Sequence, residues 1–179
     1  MFDWNVVISV HEEGYKRARQ ILAPFGHVRR TDYFNVLTLA VDDIANFMDR
    51  LKTLAENVPD VMEVLSRVAP AQELFTFQDA AEFEDQARDI ARRWAPRLAG
   101  KSFYVRLYRR GFKDRIKSPA EERFLDETLI AALEAAGTPG SISFEDPDAV
   151  IDVETVGNQC GIALWTRADL KAYPFLKVS

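Results

Sequence analysis

The chain has 179 residues, of which 47% are hydrophobic and 28% are charged, and its net charge is −5. This composition is typical of a globular protein with one domain or two small ones, and it excludes a fibrous or largely disordered chain. The single cysteine, Cys160, excludes internal disulfides and multi-cysteine metal sites. Because no positive leader precedes the first apolar run and no apolar stretch reaches about 18 residues, the sequence predicts a cytoplasmic protein that does not span a membrane.

The first half of the sequence predicts elements in the order β-α-β-β-α-β. The first helix ends at Pro24 and Gly26, and the second begins at Asp42 or Asp43 and ends at Pro59. This order is the split arrangement of a ferredoxin-like domain. The four strands are predicted at residues 4–10, 27–31, 35–41 and, last, within 61–77.

The second half opens with a helix that has one apolar stripe and is closed by Gly100. A strand follows at residues 103–108, and Ser118-Pro119-Ala120-Glu121 predicts a capping box at the start of the next helix. Two further strands, 149–156 and 160–166, are joined by a tight turn at Gly157-Asn158. The sequence therefore predicts an α+β protein with two domains, at residues 1–78 and 79–179.

Positive charge is concentrated between residues 101 and 118, although the chain as a whole is acidic. This segment holds seven Lys or Arg side chains and one Asp, so its net charge is +6 and the net charge of the rest of the chain is −11. Such a local field can steer an anionic partner. The loop ends at the N-terminus of a helix, where backbone N–H groups and the helix dipole favour phosphate. The candidate contacts to a nucleic acid are Arg106, Arg109, Arg110, Phe112, Lys113, Arg115, Lys117 and Ser118.

Two structural roles are the alternatives to nucleic-acid binding by these residues. The cations of the segment can form a solvated turn whose arginines pair with the many acids of the protein. Phe112 can stack on an unpaired base, or it can anchor the loop in the core, and the second is the more common role of such a residue.

The sequence shows no constellation for catalysis. It has no glycine-rich phosphate loop, and His11 and His27 lack the spacing of metal ligands. Cys160 falls in a predicted strand, where a small buried side chain is expected. Asp152 and Glu154 alternate with apolar neighbours and are predicted to lie on a solvated strand face. We therefore expect no enzyme activity, no cofactor and no metal.

Two stretches carry a resemblance to a known family. The pattern FYVRLYRRG at 103–111, the helix from residue 118 and DPDAVIDVETVGNQCGI at 146–162 resemble a THUMP domain preceded by a ferredoxin-like domain. The resemblance covers residues 1 to about 168 and is nearest to stand-alone members similar to the tRNA acetylation adaptor. It implies a ferredoxin-like domain followed by a THUMP-like α/β domain that binds tRNA near the acceptor stem and its 3′ end.

The predicted function is non-catalytic tRNA binding, with presentation of the acceptor-stem side to a separate tRNA-modifying enzyme such as an acetyltransferase. The expected partners are tRNA and such an enzyme, with no membrane and no DNA. The alternative is a ferredoxin-like regulatory or dimerisation module that binds a small anion or another protein.

Overall fold

The computed structural model describes residues 2–179, whose contacts divide the chain into two compact units. Each unit has helices and a β-sheet, so the chain is a mixed α+β protein with two sheets. The first unit comprises residues 2–74 and 170–177, and the second comprises residues 75–169, 178 and 179.

A C-terminal segment belongs to the first unit because its apolar side chains are buried there. Phe175 and Leu176 lie in a 3-10 turn at Pro174–Leu176, are almost fully buried and contact the strand Leu65–Pro70. The predicted domains 1–78 and 79–179 place this segment in the second domain instead. Its apolar run is too short to show a period, so no pattern in the sequence indicates where it packs.

The first sheet has the strand order β2-β3-β1-β4, and each neighbouring pair is antiparallel. Val6, Val7 and Ile8 of the central strand are almost fully buried, and so are Ala18 and Leu22 of α1. The elements are β1 (Val6–Val10), α1 (Tyr15–Leu22), β2 (His27–Arg30), β3 (Val36–Ala40), α2 (Ile44–Asn57), α3 (Val61–Val64) and β4 (Leu65–Pro70).

The second sheet has the order β5-β9-β8-β6-β7. β6 runs parallel to β7 and β8, whereas β8 and β9 form an antiparallel hairpin. The predicted turn Gly157-Asn158 is confirmed, and Gly157 has the positive φ of 61° that glycine adopts without strain. The elements are β5 (Glu73–Thr76), α4 (Ala80–Trp94), β6 (Ser102–Tyr108), α5 (Ser118–Ala135), β7 (Ser141–Ile142), β8 (Ala149–Val156), β9 (Gln159–Thr166) and α6 (Arg167–Ala172).

The core of the second unit lies between this sheet and the helices α4 and α5. The predicted stripe of α4, including Phe83 and Ile90, is buried, and so are Leu125 and Leu129 of α5. These side chains meet one face of β6, where Val105 belongs to the same cluster. The cationic segment therefore begins and ends at elements that the core holds in place.

One prediction about β8 is wrong. Asp152 and Glu154 are 1% and 2% exposed rather than solvated. β8 is a central strand with both faces covered. The polar and apolar side chains that alternate along it therefore lie on two buried faces, and neither face is exposed to solvent. Cys160 is fully buried, as predicted, and burial raises the pKa of its thiol.

Candidate nucleic-acid interface

Residues 109–117, which we call the cationic loop, join the end of β6 to the start of α5. Two apolar side chains anchor this loop. Phe112 packs on Phe77 with ring centroids 4.9 Å apart, and Ile116 is 1% exposed. The backbone N–H groups of Arg115 and Ile116 both donate to the Phe112 carbonyl, at 3.0 and 2.9 Å. Phe112 is thus a core anchor, and the loop has a defined shape.

Three cations project from this anchored backbone into solvent. Lys113, Arg115 and Lys117 are exposed, and within residues 2–179 no carboxylate forms an ion pair with any of them. The Arg115 guanidinium lies 4.3 Å from the centre of the Phe112 ring, a cation–π contact that holds it at the surface. The anchored backbone therefore presents three cations without ion-pair partners on one short segment, which also carries the exposed Asp114.

Arg110 does not share this exposed position. Its guanidinium donates to the Glu154 carboxylate at 2.9 Å, and the two side chains are only 12% and 3% exposed. Its backbone is also fixed, since its N–H donates to the Thr155 hydroxyl at 3.0 Å and its carbonyl accepts from Gly157 N–H at 2.9 Å. The sequence placed Arg110 among the phosphate contacts, whereas the structure uses it to neutralise a buried acid of β8.

Arg109 and Arg106 are also held by the protein. Arg109 donates to the Gly111 carbonyl at 2.5 Å and so shapes the turn that opens the cationic loop. Arg106 lies 3.7 Å from Glu122, whose carboxylate also accepts the Leu107 N–H at 2.8 Å. Arg109 contacts the start of the loop and Arg106 the C-terminal end of β6, although each keeps part of its side chain exposed.

The start of α5 differs from the predicted capping box. Lys117 occupies the capping position, α5 begins at Ser118, and no side chain among the described residues caps this end. Glu121, the expected reciprocal partner, is buried against Glu84 of α4 instead. The first-turn N–H groups of Ser118 and Ala120 consequently have no side-chain acceptor among the described residues, in the electrostatic setting that favours an anion.

The helices α4 and α5 run parallel. The cations near their N-termini and the cations near their C-termini therefore lie at opposite ends of the helix pair. Glu84 meets Glu121, Arg88 lies 5.2 Å from the Phe124 ring, and Arg92 lines a groove with Ala132. The N-termini of both helices therefore lie at the end that carries the cationic loop. The arginines of the last turns, at positions 92, 93 and 97, lie at the opposite end and do not extend the loop's charge.

A further cation that the sequence-based candidates omit is Arg123. It is exposed and, like the loop cations, has no ion-pair partner within the described residues. Because it follows Pro119 by four residues, it lies on the same exposed side of α5, one turn beyond the loop. Helical spacing from the predicted start of α5 was the signal that could have identified it.

Buried between α4 and α5, Glu121 has an unusual protonation equilibrium. Burial, together with the neighbouring Glu84 carboxyl group, raises the pKa of Glu121 to about 7. Near neutral pH the side chain is therefore partly protonated, which reduces negative charge at the end of the helices that carries the loop.

We expect Glu121→Gln to stabilise the protein at high pH and not at low pH. The folded-state pKa lies above the ordinary value of 4.5, so the native state binds the extra proton, and wild-type stability falls as pH rises from about 4.5 through 7. Gln mimics the protonated form of the side chain. The free energy of unfolding of the variant should therefore exceed that of wild type by about 1–3 kcal/mol at pH 8.5. Thermal melts at pH 5 and 8.5 test this, with the exposed Glu134→Gln as control. An equal difference at the two pH values would contradict the assignment.

Neither a metal centre nor a membrane span is seen in the described part of the chain. Within residues 2–179, no group of three or more His, Cys, Asp and Glu side chains is arranged to hold a metal ion. In the same residues, no helix has the length and apolar character needed to cross a bilayer.

Comparison with solved structures shows which proteins share this fold. No protein-family model and no curated protein sequence matches the chain. The fold is similar to that of PH1313 from Pyrococcus horikoshii Ot3, with a TM-score of 0.61 and 11% identity over 89% of this chain. A 4-thiouridine synthetase solved as an RNA complex with bound ATP has a TM-score of 0.55 and 12% sequence identity over 90% of this chain. TrmN from Thermus thermophilus has a TM-score of 0.53 and 15% sequence identity over 89% of this chain.

The similarity is confined to part of each solved protein. The chain spans 53% of PH1313, 44% of TrmN and 41% of the 4-thiouridine synthetase. The similarities support a THUMP-like fold, the fold implied by the sequence resemblance. At these identities they concern the fold alone.

Proposed function

We propose that this chain is a tRNA-binding protein of the THUMP-like class with a ferredoxin-like first unit. It binds tRNA through the cationic loop and presents the acceptor-stem side to a separate tRNA-modifying enzyme, such as an acetyltransferase. The observation that carries the proposal is the anchored loop, which exposes Lys113, Arg115 and Lys117 without ion-pair partners beside the uncapped start of α5.

The geometry of the loop suits a ribose-phosphate backbone. Lysine and arginine side chains can each neutralise one phosphate and release its condensed counterions. The N–H groups of Ser118 and Ala120 add donors where the helix dipole is positive. Such contacts supply affinity and position the RNA, but they carry little sequence information.

Two features support the class of ligand and the architecture. One solved protein of similar fold, the 4-thiouridine synthetase, was determined in complex with RNA. The β-α-β-β-α-β order with strands arranged β2-β3-β1-β4 supports a ferredoxin-like first unit. A regulatory module that binds a small anion would also use cations, so the size of the ligand discriminates between the two functions.

We expect the purified chain to bind whole tRNA in a salt-dependent manner and to leave its nucleosides unchanged. No catalytic constellation is evident in residues 2–179, so the chemistry would come from another protein. Filter binding from about 50 to 200 mM salt measures the affinity, and nucleoside mass spectrometry after incubation with acetyl, methyl and sulfur donors measures any reaction. A donor-dependent modification made by the chain alone would exclude the presenting role. Tight binding of phosphate or a nucleotide without tRNA binding would favour the regulatory module.

A further inference from the structure

A second cationic segment lies in the first unit and has no part in the proposed function. Residues 14–31 contain five Lys or Arg side chains and no acid, and the segment is bounded by the exposed acids Glu12, Glu13 and Asp32. In the structure this segment forms α1 and β2, and β2 is an edge strand of the first sheet. The charge is therefore displayed along one border of the unit.

The hairpin that follows β2 presents a fully solvated aromatic side chain. Phe34 is 82% exposed, the highest value among the large hydrophobic side chains of the described residues. The hairpin around it is fixed, since the Thr31 hydroxyl donates to the Val36 carbonyl at 2.8 Å and accepts the Tyr33 N–H at 3.1 Å. The Asn35 carbonyl also accepts the Val10 N–H at 2.9 Å. Phe34 thus projects from a defined turn rather than from a loose loop.

The cations nearest this hairpin are organised by an aromatic ring. The Arg30 guanidinium, at the end of β2, lies 4.6 Å from the centre of the Tyr15 ring in the first turn of α1. Lys16 and Arg19 are exposed on the same helix, and Arg19 lies one turn beyond Tyr15 on the same side. Arg17 and Arg29 differ, because they pair with Asp60 at 3.3 Å and with Asp3 at 3.5 Å.

We propose that Phe34 stacks on an unpaired base of RNA while Arg30, Lys16 and Arg19 hold the flanking phosphates. The proposal rests on the proposed tRNA binding and adds a second contact region, with a preference for single-stranded nucleotides. An exposed aromatic side chain beside arginines is the arrangement with which proteins hold single strands, because every base offers a face for stacking.

The experiment compares two RNA hairpins that are identical except for a four-nucleotide single-stranded 3′ tail. Binding to the full chain is measured by fluorescence anisotropy for wild type, Phe34→Ala, Phe34→Trp and Arg30→Ala. Arg17→Ala is the matched control, because it removes the same charge from the other side of α1. We expect Phe34→Ala to weaken binding of the tailed RNA about 5- to 150-fold and to affect the blunt RNA much less, with Phe34→Trp close to wild type.

The outcomes separate the two proposals. If wild type binds tRNA and Phe34→Ala keeps full affinity for the tailed RNA, the stacking site is refuted while the proposed function stands, and the hairpin is left as a contact for a protein partner. If Phe34→Ala and Arg17→Ala weaken both RNAs equally, the effect is not base stacking, and the site is again refuted. If wild type binds no RNA at all, the proposed function fails and the stacking site fails with it.

Discussion

Replacing Lys113, Arg115 and Lys117 together by Ala is expected to weaken tRNA binding about 100-fold at about 0.15 M salt. Each side chain that neutralises a phosphate contributes roughly 0.7–0.9 to the slope of log affinity against log salt, so three removals should lower its magnitude by about 2 to 3. All tRNAs should be affected to a similar extent, because phosphate contacts carry no base information. Binding titrations at four or more salt concentrations provide the measurement.

Folding should change little in this variant, because Phe112 and Ile116 hold the loop and the three replaced side chains are exposed. The matched control is Arg92→Ala, Arg93→Ala and Arg97→Ala together. It removes the same charge from the other end of the parallel helices α4 and α5. If the control loses as much affinity and slope as the loop variant, the effect is one of net charge, and the cationic loop is not the binding site.

The elements with strong sequence patterns were predictable from the sequence alone. Gly157-Asn158 between two apolar runs predicted the β8–β9 hairpin, and the periodicity of Phe83 and Ile90 predicted the buried stripe of α4. In both cases local propensity and tertiary packing favour the same structure. The position of the cationic loop, between a strand and a helix, followed from the same signals.

The exposure of individual cations was not predictable. Arg109, Arg110 and Lys113 are equivalent in a sequence pattern, yet only Lys113 is both exposed and without an ion pair. The distinction depends on Glu154, 44 residues away, whose burial the alternation of β8 concealed. A strand with one solvated face and a strand with two covered faces have the same period of two, so the covering elements decide the outcome.

The capping box illustrates a second limit of local motifs. Ser118 and Glu121 have the required spacing, but Glu121 faces Glu84 of the neighbouring helix. A sequence motif predicts which local hydrogen bond can form, but it does not predict which tertiary contact competes with that hydrogen bond. The competing contact requires the parallel packing of α4 on α5, and two separate amphipathic patterns do not specify that direction.

Arg110→Ala should cost about 3 kcal/mol of the free energy of unfolding, a much larger loss than any single exposed cation would cause. The change removes the guanidinium that donates to the Glu154 carboxylate at 2.9 Å, where the arginine and glutamate side chains are 12% and 3% exposed. An ionised carboxylate in that position loses a charge partner that compensates for its desolvation. The double variant Arg110→Met with Glu154→Leu should recover most of the loss, because it removes both charges and fills similar volume.

Urea unfolding followed by circular dichroism measures the loss. Arg123→Ala is the control, since it removes an arginine from an exposed site on α5 and should change stability by no more than about 0.5 kcal/mol. The same variants also decide between the two roles assigned to Arg110. If Arg110→Ala keeps wild-type stability but lowers tRNA affinity and salt slope, Arg110 is a phosphate contact, as its sequence neighbourhood predicted. If it loses stability and the double variant restores both stability and tRNA affinity, Arg110 acts by supporting the base of the cationic loop.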